Sequence, residues 1–218
     1  WSSKTEEKRT IENLVNELSV IIDTVAPDKS IILICHSLGS LETIGYAQIY
    51  PERVKGIIFL DSGSPEFYST DSELAAKILN RGSAVIRVLG INRLLGELGI
   101  FLPMYGENIR YQNIQEEAKA LDKLMYYRYT GNPDTLDYIE FMNENAASVL
   151  EGPSLGKIPI LVLSSDSGEA WNDVQIQLSL WSEVSHQITI KNSNHYLYWS
   201  NYDEVSAHIE AFIKGLLN

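Results

Sequence analysis

The segment that most constrains this chain is Ile31-Ile-Leu-Ile-Cys-His-Ser-Leu-Gly-Ser40. Its apolar run from Ile31 to Cys35 shows no polar alternation, which suits a strand covered on both faces of a parallel sheet. His36-Ser37-Leu38-Gly39 follows at once, and a helical stretch then runs to Tyr50, where Pro51 stops it. A chain that passes from buried strand to helix so abruptly must turn tightly, and the small side chains of Cys35 and Gly39 on either side of Ser37 permit it. The turn lifts the serine oxygen above the end of the sheet and aims the following backbone N–H groups, Leu38 first, at an incoming oxygen. The competing reading of Ser37 is an ordinary helix N-cap, a position that serine also favours. Cys35 reads as a residue packed at the strand end.

The surroundings repeat this alternation of strand and helix. Ile11, Leu14, Val15, Leu18 and Ile22 mark one helix face, ended by Pro27; Val54 to Leu60 is a second buried strand, ending at Asp61. Between Glu66 and Lys157 no strand is legible. Helical patterns there cover Glu73 to Leu79, Ala84 to Leu95, Asn113 to Tyr127 and Thr135 to Leu150, and the wide apolar arc from Val85 to Leu95 is expected to pack in a core. The strand rhythm then returns with Ile158 to Leu163 and with Ile188 and Ile190. A closing helix carries Val205, Ile209, Phe212, Ile213 and Leu216, with Asn201 and Glu204 placed as a capping pair. These patterns predict an α/β chain in three stretches: core over residues 1–65, a helical insertion over 66–157, and core again over 158–218.

Composition narrows the partners. With 44% hydrophobic residues the chain can bury a sizeable core, and its net charge of −12 is spread along it without a basic segment. That disfavours nucleic acid and anionic membrane surfaces, which require a cationic footprint, and favours a small-molecule partner. No apolar run approaches the roughly 20 residues of a membrane span. The lone Cys35 excludes an internal disulfide and a cysteine-based zinc site, which fits a reducing compartment such as the cytoplasm.

Taken together, Ile31 to Ser40 and Tyr46-Ala-Gln-Ile-Tyr-Pro-Glu-Arg-Val-Lys-Gly-Ile-Ile-Phe-Leu-Asp61 resemble the nucleophile elbow, its helix and the next strand of the α/β-hydrolase superfamily. Asn192-Ser-Asn-His195-Tyr, ahead of the last helix, is similar to that superfamily's catalytic-histidine loop. The resemblance implies an α/β-hydrolase fold, a parallel sheet with helices on both faces, and a helical cap inserted after the family's sixth strand. The family's elbow follows its fifth strand. The resemblance therefore implies that strands one to four are missing from this chain, with Trp1-Ser-Ser similar to the end of the turn after strand four. An upstream segment of the same protein is then expected beside the Ile31 strand, and with it the second oxyanion donor.

A serine nucleophile needs a base. His36 is committed beside the serine, and His186 and His208 read as solvated, whereas His195 occupies a loop that can reach over the sheet. The base in turn needs a carboxylate, and two remain open. Asp61 ends the second visible strand, where some relatives carry the triad acid; Asp166 follows the third, where most carry it, with Glu169 a distant further choice. The expected function is a serine esterase-like hydrolase acting by acyl transfer through Ser37, His195 and Asp61 (or Asp166). Leu38 N–H is the oxyanion donor, the substrate is a small or medium apolar ester, and no metal or organic cofactor is required. The alternative is a non-catalytic member of the same fold that binds a ligand or a partner.

Overall fold

The computed structural model describes residues 5–72, 74–100, 107–111 and 114–217. The chain divides into two compact units, one of Thr10–Asp71 with Asn143–Asn218, the other of Ser72–Met142 together with the residues leading to Arg9. The expectations resting on Trp1-Ser-Ser, on Glu73 and on Asn113 lie outside the described residues.

In the first unit, α1 (Ile11–Val25) leads to β1 (Ile31–His36), α2 (Ser40–Ile49), β2 (Val54–Leu60) and α3 (Pro65–Thr70). The second unit carries α4 (Leu74–Val88), α5 (Ile91–Glu97), α6 (Glu107–Arg110), α7 (Glu116–Tyr129) and α8 (Pro133–Glu140). The first unit then resumes with α9 (Met142–Glu151), β3 (Ile160–Ser165), α10 (Glu169–Ser179), β4 (Ser185–Ile190), α11 (Leu197–Ser200) and α12 (Tyr202–Leu217). The insertion is thus narrower than 66–157, because α3 and nearly all of α9 group with the sheet.

The sheet is parallel throughout, in the order β1-β2-β3-β4. Alternate residues of a strand face opposite sides, and β2 is apolar on both. Ile58 and Leu60 join Leu161, Leu163 and Ile190 in a cluster closed by Val205, Ile209, Phe212 and Ile213 of α12. Ile57 and Phe59, facing the other way with Ile160 and Val162, are fully buried too. Each such side chain contributes about 1.5–3 kcal/mol on burial, which explains why unbroken apolar runs become the central strands.

Three expectations are corrected. β1 is not covered on both faces, since Ile34 is half exposed; that it pairs only with β2 among the described residues agrees with the expected absence of the preceding strands. The helix expected over Ala84 to Leu95 is broken at Gly90, whose φ of 71° lies in the left-handed region, and Val85, Val88, Leu89 and Leu94 are largely exposed rather than core. The Asn201 side chain does not cap α12: its amide donates to Lys191 O, and its buried Oδ1 accepts no hydrogen bond among the described residues.

In the second unit, Arg110 grips Asp122 with two hydrogen bonds of 2.6 and 2.7 Å, and the Tyr111 hydroxyl donates to the same carboxylate. No helix among the described residues is long and apolar enough to cross a membrane.

Candidate active site

Parallel strands end on the same side, and three ends converge here. β1 runs into a one-turn 3-10 helix, Ser37–Gly39, in which Ser37 has a φ of 54°. A non-glycine residue held there is strained, and the strain belongs to the sharp exit that turns the chain from β1 into α2. Asp61, just past β2, also has a positive φ, 47°, and is 1% exposed. His195 lies in the loop between β4 and α11.

The three side chains form one hydrogen-bonded run. His195 Nε2 is 3.1 Å from Ser37 Oγ, and His195 Nδ1 is 2.8 Å from Asp61 Oδ2. A carboxylate can only accept, so Nδ1 carries the proton and Nε2 is left to accept from the serine hydroxyl. The other carboxylate oxygen, Oδ1, accepts from the Ser165 amide at 2.6 Å and from the Trp171 indole N–H at 2.7 Å. Burial alone would raise the Asp61 pKa, but the hydrogen bonds from His195, Trp171 and Ser165 outweigh it and hold the group below the ordinary carboxylate value. Leu38 follows Ser37 within the same one-turn helix.

Asp166 stands apart from this run. Its Oδ2 accepts from Asn192 N–H at 3.3 Å, and its Oδ1 is 3.7 Å from Lys191 Nζ, so it ties down the histidine loop from outside instead of meeting His195. Glu169 opens α10 on the surface. His186 is exposed, as expected, whereas His208 is half-buried on α12.

Several contacts escape sequence reasoning. His36 is structural in a specific way: its Nε2–H donates to the His195 carbonyl at 2.8 Å, and the two rings lie 4.5 Å apart. Burial lowers the His36 pKa, which keeps the ring neutral. The Tyr68 hydroxyl accepts from Gly63 N–H at 3.1 Å and faces the Ser37 hydroxyl; burial pushes the phenol up to about 12, so it stays protonated. Burial likewise pushes the Cys35 thiol up to about 12, beside Ser62 Oγ at 3.9 Å, which makes it a packing residue and not a nucleophile. The signal for Tyr68 and Trp171 was present only as aromatic residues shortly after two strand ends, a pattern too common to assign.

No protein-family model matches the chain. Two curated relatives are the uncharacterised protein YbdG of Bacillus subtilis, 24% identical over 170 residues, and the cis-3-alkyl-4-alkyloxetan-2-one decarboxylase of Shewanella oneidensis, 23% identical over 216 residues. The matches cover 78% and 94% of this chain, which spans 51% and 66% of the two relatives' lengths. Among solved structures, MenH from Staphylococcus aureus superposes with a TM-score of 0.68 at 17% identity, covering 100% of this chain and 80% of its own. An α/β-hydrolase from a deep-sea metagenome library gives 0.65 at 16% identity, covering 98% and 75%. The fold is that of an α/β-hydrolase. Within that fold, β1 and the turn Ser37–Gly39 lie where the run from Ile31 to Ser40 places a strand and a tight turn, and the described sheet has four parallel strands.

Proposed function

We propose that this α/β-hydrolase chain acts as a serine hydrolase by acyl transfer, with Ser37 as nucleophile, His195 as base and Asp61 as the carboxylate partner. The observation that carries the reading is the continuous run from Ser37 Oγ through both ring nitrogens of His195 to a buried, donor-saturated Asp61. As Ser37 Oγ attacks an ester carbonyl, its proton passes to His195 Nε2, and Asp61 stabilises the resulting imidazolium. The developing oxyanion takes a hydrogen bond from Leu38 N–H, an interaction worth about 3 kcal/mol in such sites. His195 then gives its proton to the leaving alkoxide, and in the second half it draws one from water, which releases the acid and restores the serine.

A small or medium apolar ester is the proposed substrate class. The name of the Shewanella relative, an alkyl-substituted oxetanone decarboxylase, accords with an apolar ester-type carbonyl. At the open edge of β1 we propose that a further strand of the same protein pairs, from an upstream segment that would also bring the second oxyanion donor. The lone cysteine fits the cytoplasm, the compartment proposed here.

The test is turnover of a chromogenic short-chain ester by the protein and by Ser37→Ala. The variant is expected to lose a factor of roughly 10³ or more. Equal rates would remove the hydrolase assignment and favour a binding role.

A further inference from the structure

We infer that Trp171 is a positioning residue of the reaction: its indole N–H, with the Ser165 amide, fixes Asp61 Oδ1 so that Oδ2 alone is presented to His195. The inference rests on the serine-hydrolase reading above and adds a residue to it.

Asp61 has two oxygens, and His195, Trp171 and Ser165, the last through both its amide and its side chain, donate to them. Oδ2 meets His195 Nδ1, while Oδ1 meets one backbone group and one side chain, Ser165 N–H and Trp171 Nε1–H. The Ser165 amide belongs to the last residue of β3 and is held by the sheet. Trp171 sits in the first turn of α10, so the end of β3 and the start of the helix after it both supply donors to a carboxylate just past the neighbouring strand β2. With both donors present, rotation of the carboxylate would break two short hydrogen bonds, and the group has one favoured orientation. Remove the indole N–H and Oδ1 loses its one donor from outside Ser165, so Oδ1 and Oδ2 become closer to equivalent for His195. The imidazole would then lose part of its alignment on Ser37.

The indole ring has separate packing partners, standing edge-on to Phe67 at 5.5 Å and to His195 at 6.4 Å between ring centroids. Trp171→Phe therefore retains an aromatic ring there and deletes the donor. Hydrogen bonds to charged groups contribute enough that kcat is expected to fall about tenfold to a hundredfold, with KM changed less than about twofold.

Two readouts separate positioning from a general structural loss. In a double-mutant cycle, Trp171→Phe is expected to have almost no further effect on Asp61→Asn, because the carboxylate through which it acts is gone. In proton NMR of the resting protein, the low-field signal of the His195 Nδ1 proton is expected to shift or broaden in Trp171→Phe. The NMR measurement needs no turnover, so it decides the Trp171 contact even if Ser37→Ala retains full activity and the hydrolase reading itself fails. An unchanged Nδ1 signal, or equal losses from Trp171→Phe in both backgrounds of the cycle, would overturn the inference.

Discussion

Asp61 is 1% exposed, yet hydrogen-bond donors of His195, Trp171 and Ser165 converge on its two oxygens, the arrangement of an ionised carboxylate. Asp61→Asn would place an amide against His195 Nδ1 and favour the wrong tautomer, so kcat is expected to fall about 10³- to 10⁴-fold. Asp166→Asn, whose carboxylate meets Asn192 and Lys191 instead, is expected to stay within about threefold by the same comparison of rates. The pH dependence of stability has a definite sign. The folded-state pKa of Asp61 lies below its unfolded value, so its stabilising contribution is present in full above about pH 4 and is lost as pH falls through the folded value. Melting temperatures of the parent chain and Asp61→Asn should therefore differ most between about pH 5 and 7 and converge in acid; a gap that widens on acidification would contradict this. Ser37 and His195 stand out in the sequence because a serine between strand and helix, and a histidine in a loop before the last helix, have few readings. The acid stays open there because β2 and β3 are parallel neighbours, so Asp61 and Asp166 both follow strand ends on one side of the sheet. Which of them meets the histidine depends on the turn at Asp61, with its φ of 47°, a property that residue type does not encode.

At the level of elements, the central strands are legible because a run without polar residues has few alternatives to a doubly covered strand, and β2 matches its expected span. β1 carries the same signal but is an edge in the described sheet, since hydrophobicity reports what a strand can bury and not which neighbours it has. In the helical unit the apolar pattern ran through Gly90 because periodicity does not register a backbone reversal. The turn between β2 and α3 offers a test of packing at the site. A Cβ on buried Gly63 would lie 2.6 Å from Tyr68 Cζ and 2.8 Å from its hydroxyl, and the ring is itself buried, so it cannot simply swing aside. Gly63→Ala is expected to cost about 1–3 kcal/mol of stability by overpacking. It should also slow turnover, since Tyr68 faces Ser37. An unaltered denaturant midpoint would show that the ring has room that the packing denies it.

Across the whole molecule, two features oppose one another. Among the described residues β1 pairs on one side only, next to half-exposed Ile34, and an open edge of this kind is a template for another chain. The net charge of −12 repels a second copy at long range. Repulsion between exposed charges is screened over roughly 30 Å at 0.01 M salt but over only about 8 Å at 0.15 M, whereas edge pairing acts at contact and is little affected. The 218-residue chain on its own is therefore expected to scatter more light as salt and concentration rise together, the reverse of an association driven by opposite charges. Ile34→Lys puts a charge beside the edge, the device by which natural edge strands resist pairing, and is expected to lower that scattering severalfold while leaving the melting temperature nearly unchanged. A parent chain that stays monodisperse at high salt, with no difference from Ile34→Lys, would mean that the β1 edge does not act as a pairing surface in the isolated chain.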